Sequence, residues 1–192
     1  MENTLNEDQR KVRASKHMLW IAIGSMIMMF AGVISAYVVS SYRKDWLTDF
    51  QLPMAFWWST LTILLSSLVL WQAKRFIQNN QIKQAAIGVA VSFFLGILFT
   101  ILQFEGFSQI IDMGYYFTGS SSNITMTFLY LIVLMHLLHL FAGLVVLLVI
   151  LVKTLKGSYN AERYNGFSLG ATFWHFVDVL WIFLILFLYF TK

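Results

Sequence analysis

Five long apolar runs govern what this chain can become: Leu19–Ser40, Met54–Ala73, Ala85–Leu102, Ile124–Val152 and Leu169–Phe190. At about 1.5 Å per helical residue, each is long enough to cross most or all of a hydrocarbon layer about 30 Å thick. No water is available there to pair backbone amides, so each run must satisfy its own hydrogen bonds as a helix; the alternation of a membrane strand is absent. The expected fold is all-α: an integral membrane bundle of five transmembrane helices forming one domain over 19–192, behind a polar basic tail at 1–18. The first run is too long for a secretory signal core and lacks a small-residue cleavage site, so it is expected to be a retained helix. Pro53 stands where the second helix opens, the position at which a missing N–H costs least.

Composition narrows the function classes. The chain is 59% apolar and 11% charged, against about 25% charged in an average soluble domain. With no cysteine, disulfide frameworks, thiolate zinc sites, iron–sulfur clusters and Cys-attached haem are excluded. The net charge of +4 comes from basic residues gathered at the ends of apolar runs, which is a topology pattern and not a nucleic-acid patch. On one side lie Arg10, Lys11, Arg13, Lys16, Lys74, Arg75, Lys83, Lys153, Lys156 and Arg163; on the other only Arg43, Lys44 and Lys192. Ten against three predicts a cytoplasmic N-terminus and, after five crossings, a periplasmic C-terminus. The segment Gln103–Asn123 carries Glu105 and Asp112 and no basic residue, as an outer loop can.

Ionisable groups inside membrane helices are costly and therefore informative. Here they are His136, His139, His175 and Asp178, each pair three residues apart and so on one helix face. The expectation is an intramembrane polar cluster in which Asp178 and His175 hold the last two helices in register. Two histidines a turn apart on one helix cannot supply both axial ligands of a haem. Non-haem iron, copper or zinc would suit the residue types in principle, yet interhelical hydrogen bonding serves the same groups, and no metal is expected in this chain. Phosphate loops, a nucleophile elbow and paired carboxylates are missing, so no catalytic residues are assigned and no activity is expected of the isolated chain. Small residues form rows, Gly88, Ser92 and Gly96 on the third helix and Gly32 with Ala36 on the first, and such rows let helices approach closely within or between chains.

On the last helix, Trp174, His175, Phe176, Val177, Asp178, Val179, Leu180 and Trp181 resemble the terminal-helix signature of cytochrome c oxidase subunit III, the subunit III family of the haem–copper oxygen reductases. His136, His139 and Gly143 are similar to its His-x-x-His stretch, and Tyr164–Gly170 to its approach to the final helix. Phe30-Ala31-Gly32 with Ala36-Tyr37, and Phe99 with Gln103, also resemble the family. The likeness runs from about His17 to the C-terminus and is closest to a short bacterial type lacking the first two of seven helices. It departs at Met26, where members commonly carry a buried Glu, and at Gly106, where a second acid is usual; Glu105 stands one place earlier as a substitute or an interfacial helix cap.

The resemblance implies an accessory subunit without redox cofactors in the bacterial inner membrane, packed on catalytic subunit I and near subunit II, whose partners hold the haems and copper. It further implies bound phospholipid, support of proton uptake and enzyme durability, and room for a larger respiratory supercomplex. A quinol oxidase subunit III and a nitric oxide reductase accessory protein are the near alternatives. A stand-alone metal-binding or transport protein built on His136, His139, His175 and Asp178 is the alternative from another class.

Overall fold

The computed structural model describes residues 2–47, 52–117, 119, 123–161 and 164–191, with side chains from Arg10 onward. Arg163 and Lys192, two of the thirteen basic residues, lie outside the described residues. Five helices account for nearly everything else: α1 (Glu2–Ser40), α2 (Met54–Gln78), α3 (Ile82–Asp112), α4 (Ile124–Leu155) and α5 (Asn165–Phe190). All five are long and apolar enough to span a membrane.

The helices outrun the apolar runs because hydropathy stops at the interface, whereas backbone hydrogen bonding does not. Residues 2–18, expected as a tail, continue α1 without a break. Likewise, α3 runs on to Asp112, so Glu105 and Gly106 belong to a helix and not to an outer loop. Pro53 is the N-cap of α2, as its missing N–H suggests.

Helices α2, α3, α4 and α5 close into a ring in which each touches its two neighbours, while α1 leans on α4 and α5 from outside. Closeness in the ring comes from small residues. A Cβ on Gly88 would stand 2.8 Å from the Ala73 Cβ, so α2 and α3 meet almost backbone to backbone. Asn80, at φ 58°, turns the chain between them in the left-handed region that asparagine tolerates. Its Oδ1 accepts from Ala161 N at 3.1 Å, tying the α4–α5 connection to that turn.

The other end is fastened by the first turn of α4. Asn123 Oδ1 accepts from Thr125 N at 2.8 Å, capping the helix, and its Nδ2 donates to the Asp45 carbonyl at 3.0 Å. Leu47 N donates to Thr125 Oγ1 at 3.0 Å, so the segment after α1 is held to α4. Tyr37, buried among Trp46, Phe128 and Phe187, anchors the same end of α1.

Candidate functional site: a polar seam inside the ring

The interior chemistry is organised by α2, which presents Ser59, Thr60, Ser66 and Ser67 at seven-residue spacing, two helical turns apart. Hydroxyls suit this position because each can donate its proton to a backbone carbonyl and still accept from a neighbour. Ser59 donates to the Phe56 carbonyl at 2.8 Å and accepts from Gln103 Nε2 at 2.8 Å. Thr60 donates to the same carbonyl at 2.7 Å and accepts from Trp181 Nε1 at 3.0 Å. One turn pair deeper, Ser66 donates to Ser92 O at 3.0 Å and Ser92 returns the bond to Ser66 O at 3.1 Å. Ser66 Oγ also accepts from Trp174 Nε1 at 3.2 Å.

Trp174 is fully buried, and its indole occupies space that two glycines leave open. A Cβ on Gly96 would come within 2.6 Å of its Cη2, and one on Gly143 within 3.0 Å of its Cε3. Ser92 and Gly96 therefore have separate duties, the first bonding α2 and the second seating an α5 side chain. Gly32 and Ala36 have no such duty: a Cβ on Gly32 would meet nothing within 4 Å, and both residues are exposed. They lie away from the face on which Ile23, Met26, Phe30 and Tyr37 are buried.

The four ionisable groups take different places. His136 is fully buried, its ring 5.0 Å from that of Trp181 and 6.0 Å from that of Phe99, and neither ring nitrogen has a hydrogen-bond partner. His139 is partly exposed, donates from Nδ1 to the Met135 carbonyl at 2.7 Å and lies 5.7 Å from the Phe30 ring on α1. His175 Nδ1 meets Ser67 Oγ at 2.5 Å, a bond to α2 and not to α4. Asp178 is buried with Ser67 beside it, yet neither of its oxygens completes a hydrogen bond.

No hydrogen bond joins any two of the four, and among the described residues no group of three or more His, Cys, Asp or Glu is placed to hold a metal. The cluster is thus spread over three helix contacts, because a three-residue step turns a side chain by about 60°. That angle is enough to aim His136 into the ring and His139 towards α1. The link that keeps α5 in register runs instead through Trp174, His175 and Trp181 to the α2 hydroxyls, whose seven-residue spacing was the signal for it.

Glu105 is exposed on α3, with Gln109 Nε2 3.4 Å from its Oε1. With α3 continuing to Asp112, Glu105 does not cap the helix end. Gly106 does a different job from an acid, since a Cβ there would stand 2.7 Å from Phe56 Cε1.

Two apolar grooves flank α1. One, of about 520 Å³, lies between α1 and α5 around Phe30, Ile34, Phe176 and Phe183. The other, of about 420 Å³, runs between α1, α4 and α5 from Leu19 to Phe173 and has Lys153 and Tyr159 in its wall. Burial pushes the Tyr159 phenol above its ordinary pKa, so it stays a neutral donor. The α5 N-terminus opens beside it, with no side-chain cap from Tyr164, and a helix N-terminus favours a negative group nearby.

Comparison with known proteins accords with this architecture. The family profile described as "Cytochrome c oxidase subunit III" matches residues 16–192. A cytochrome c oxidase subunit 3 from Spodoptera frugiperda is 33% identical over 144 residues, 73% of this chain and 89% of the relative. One from Bacillus sp. (strain PS3) is 25% identical over 169 residues, covering 86% and 80%. One from Cyprinus carpio is 31% identical over 147 residues, and there the match spans 74% of this chain but about half of the relative, 51%. With five membrane-spanning helices and a family match over residues 16–192, the chain belongs to the cytochrome c oxidase subunit III family.

Proposed function

We propose that this chain is an accessory subunit of a bacterial haem–copper terminal oxidase in aerobic respiration. It sits in the inner membrane with its N-terminus cytoplasmic and its C-terminus periplasmic, packed on catalytic subunit I with subunit II in the same assembly. The haems and copper belong to those partners, cytochrome c is the electron donor, and this chain contributes scaffold and lipid to a complex that can join a larger respiratory supercomplex. The observation that carries the reading is the family match over residues 16–192, on a chain whose Trp174, His175 and Trp181 are spent on holding α5 to α2.

The groove walled by Lys153 and Tyr159 gives the lipid role a physical form. An acyl chain suits its apolar length, and an anionic phospholipid headgroup suits Lys153, the Tyr159 hydroxyl and the uncapped start of α5. A chain held there stiffens the contact of α1 with the ring, and this is the route by which the subunit supports proton uptake and durability of the turning-over enzyme. In the assembled oxidase, Lys153→Met is expected to lower co-purifying phospholipid and to shorten the time over which activity survives turnover. Phosphorus content and activity decay of the purified complex measure both, and unchanged values of the two would refute the lipid role.

A further inference from the structure

The great majority of buried polar groups are hydrogen-bonded, and inside a membrane bundle no bulk solvent relieves those that are not. Three orphaned atoms in this ring belong to two fully buried side chains: Gln103 Oε1 on α3 and both ring nitrogens of His136 on α4. The Gln103 amide cannot turn round to relieve its oxygen. Ser59 donates its own proton to the Phe56 carbonyl, so the amide must present Nε2 to the Ser59 hydroxyl and send Oε1 elsewhere. That oxygen can only accept, whereas a neutral imidazole offers one N–H and one bare nitrogen.

The two side chains share one level of the ring. Phe99, one turn before Gln103 on α3, lies 6.0 Å from His136 and 5.2 Å from Trp181, ring to ring, and Trp181 lies 5.0 Å from His136. Gln103 is thus the next group along α3 from a triangle of rings that includes His136. Successive membrane crossings run in opposite directions, and side chains lean towards the start of their own helix. Gln103 therefore leans back towards Phe99, while His136 leans to the level of Gln103.

The seam shows what a link between them does. Its hydrogen bonds join α3 to α2 through Gln103, Ser66 and Ser92, and α5 to α2 through Trp174, His175 and Trp181; none of them reaches α4. His136 is the polar side chain that α4 sends to this level.

We infer that an internal water molecule binds between Gln103 Oε1 and the His136 imidazole. It donates one proton to the amide oxygen and pairs with an imidazole nitrogen, which gives it the minimum of two polar partners that a buried water requires. The water is the entry of α4 into the seam, so that all four ring helices are hydrogen-bonded through their interior. Asp178 is a separate case: the hydroxyl beside it is that of Ser67, seven residues along α2 from Thr60, and His175 already engages it.

The test uses the full chain, purified in mild detergent with the proteins that accompany it. A crystal structure or cryo-electron-microscopy map that resolves ordered water is expected to show a density peak about 2.7 to 3.2 Å from both Gln103 Oε1 and a His136 nitrogen. Thermal unfolding of His136→Leu, Gln103→Leu and the double variant gives an independent reading. With the water in place, each single change strands the other partner and lowers the melting temperature, and the double change lowers it by clearly less than the two singles together. A map in which the amide and the imidazole touch directly would overturn the inference, since the pair would then need no water. Single changes that raise the melting temperature and add up in the double variant would overturn it as well, because that is how two groups buried dry behave. Should a variant fail to fold, the map of the unaltered chain decides alone: a resolved interior without the peak sinks the inference. None of these outcomes bears on the accessory-subunit reading.

Discussion

Gly96→Val is expected to cost the bundle about 1 to 3 kcal/mol, the range typical of overpacking against a large buried side chain. Even a single methyl on Gly96 would lie 2.6 Å from Trp174 Cη2 and 2.9 Å from Leu144 Cδ2. The indole cannot step aside cheaply, because Gly143 lies against its other edge and Ser66 holds its nitrogen at 3.2 Å. Valine therefore either expels Trp174 or pushes α3 away from α5, and both outcomes break the link from α5 to the α2 hydroxyls. Gly32→Ala is the matched control: with open space around it, added methyl mass only improves the helix, by about 0.5 to 1 kcal/mol. Thermal unfolding of the two variants in detergent should move in opposite directions, and equal shifts would show that the seat of Trp174 between Gly96 and Gly143 does not hold the bundle together.

Asp178→Leu is expected to stabilise the isolated chain by about 1 to 3 kcal/mol, the typical cost of a buried polar group that finds no partner. The sign follows from geometry. Asp178 is 2% exposed and neither oxygen completes a hydrogen bond, so leucine removes a desolvated group and loses at most a weak contact with the Ser67 hydroxyl beside it. Had Asp178 held α4 to α5, as its spacing from His175 suggested, the same change would be destabilising. A lower melting temperature for Asp178→Leu would therefore restore that view. A higher one, together with any loss in the assembled oxidase, would place the value of Asp178 in the complex and outside the fold.

These cases show where residue patterns were informative and where they ran out. The spans were legible because about 20 apolar residues add their transfer energies into one large signal. Their ends were not, since the continuation of α3 past Gln103 and of α1 below Leu19 depends on backbone bonding that hydropathy does not record. Trp174, His175 and Trp181 stood out as a signature, but their partners Ser66, Ser67 and Thr60 did not, because a serine in an apolar helix reads the same whether or not another helix calls on it. His136 and His139 show the limit of spacing: three residues put two side chains on one broad face, and neighbouring helices then divide that face. The rows Gly88, Ser92, Gly96 and Gly32, Ala36 looked alike on paper, and only the placement of α1 outside the ring separates a row that is used within the chain from one that is left open.

The central claim is that this bundle exists to be held by a larger respiratory enzyme. It is tested most directly by purifying the tagged full chain from its own membranes in mild detergent and recording the absorption spectrum of what comes with it. The account predicts stoichiometric haem carried by co-purifying partner proteins. A chain recovered alone and colourless, or one that turns over a substrate without partners, would contradict it.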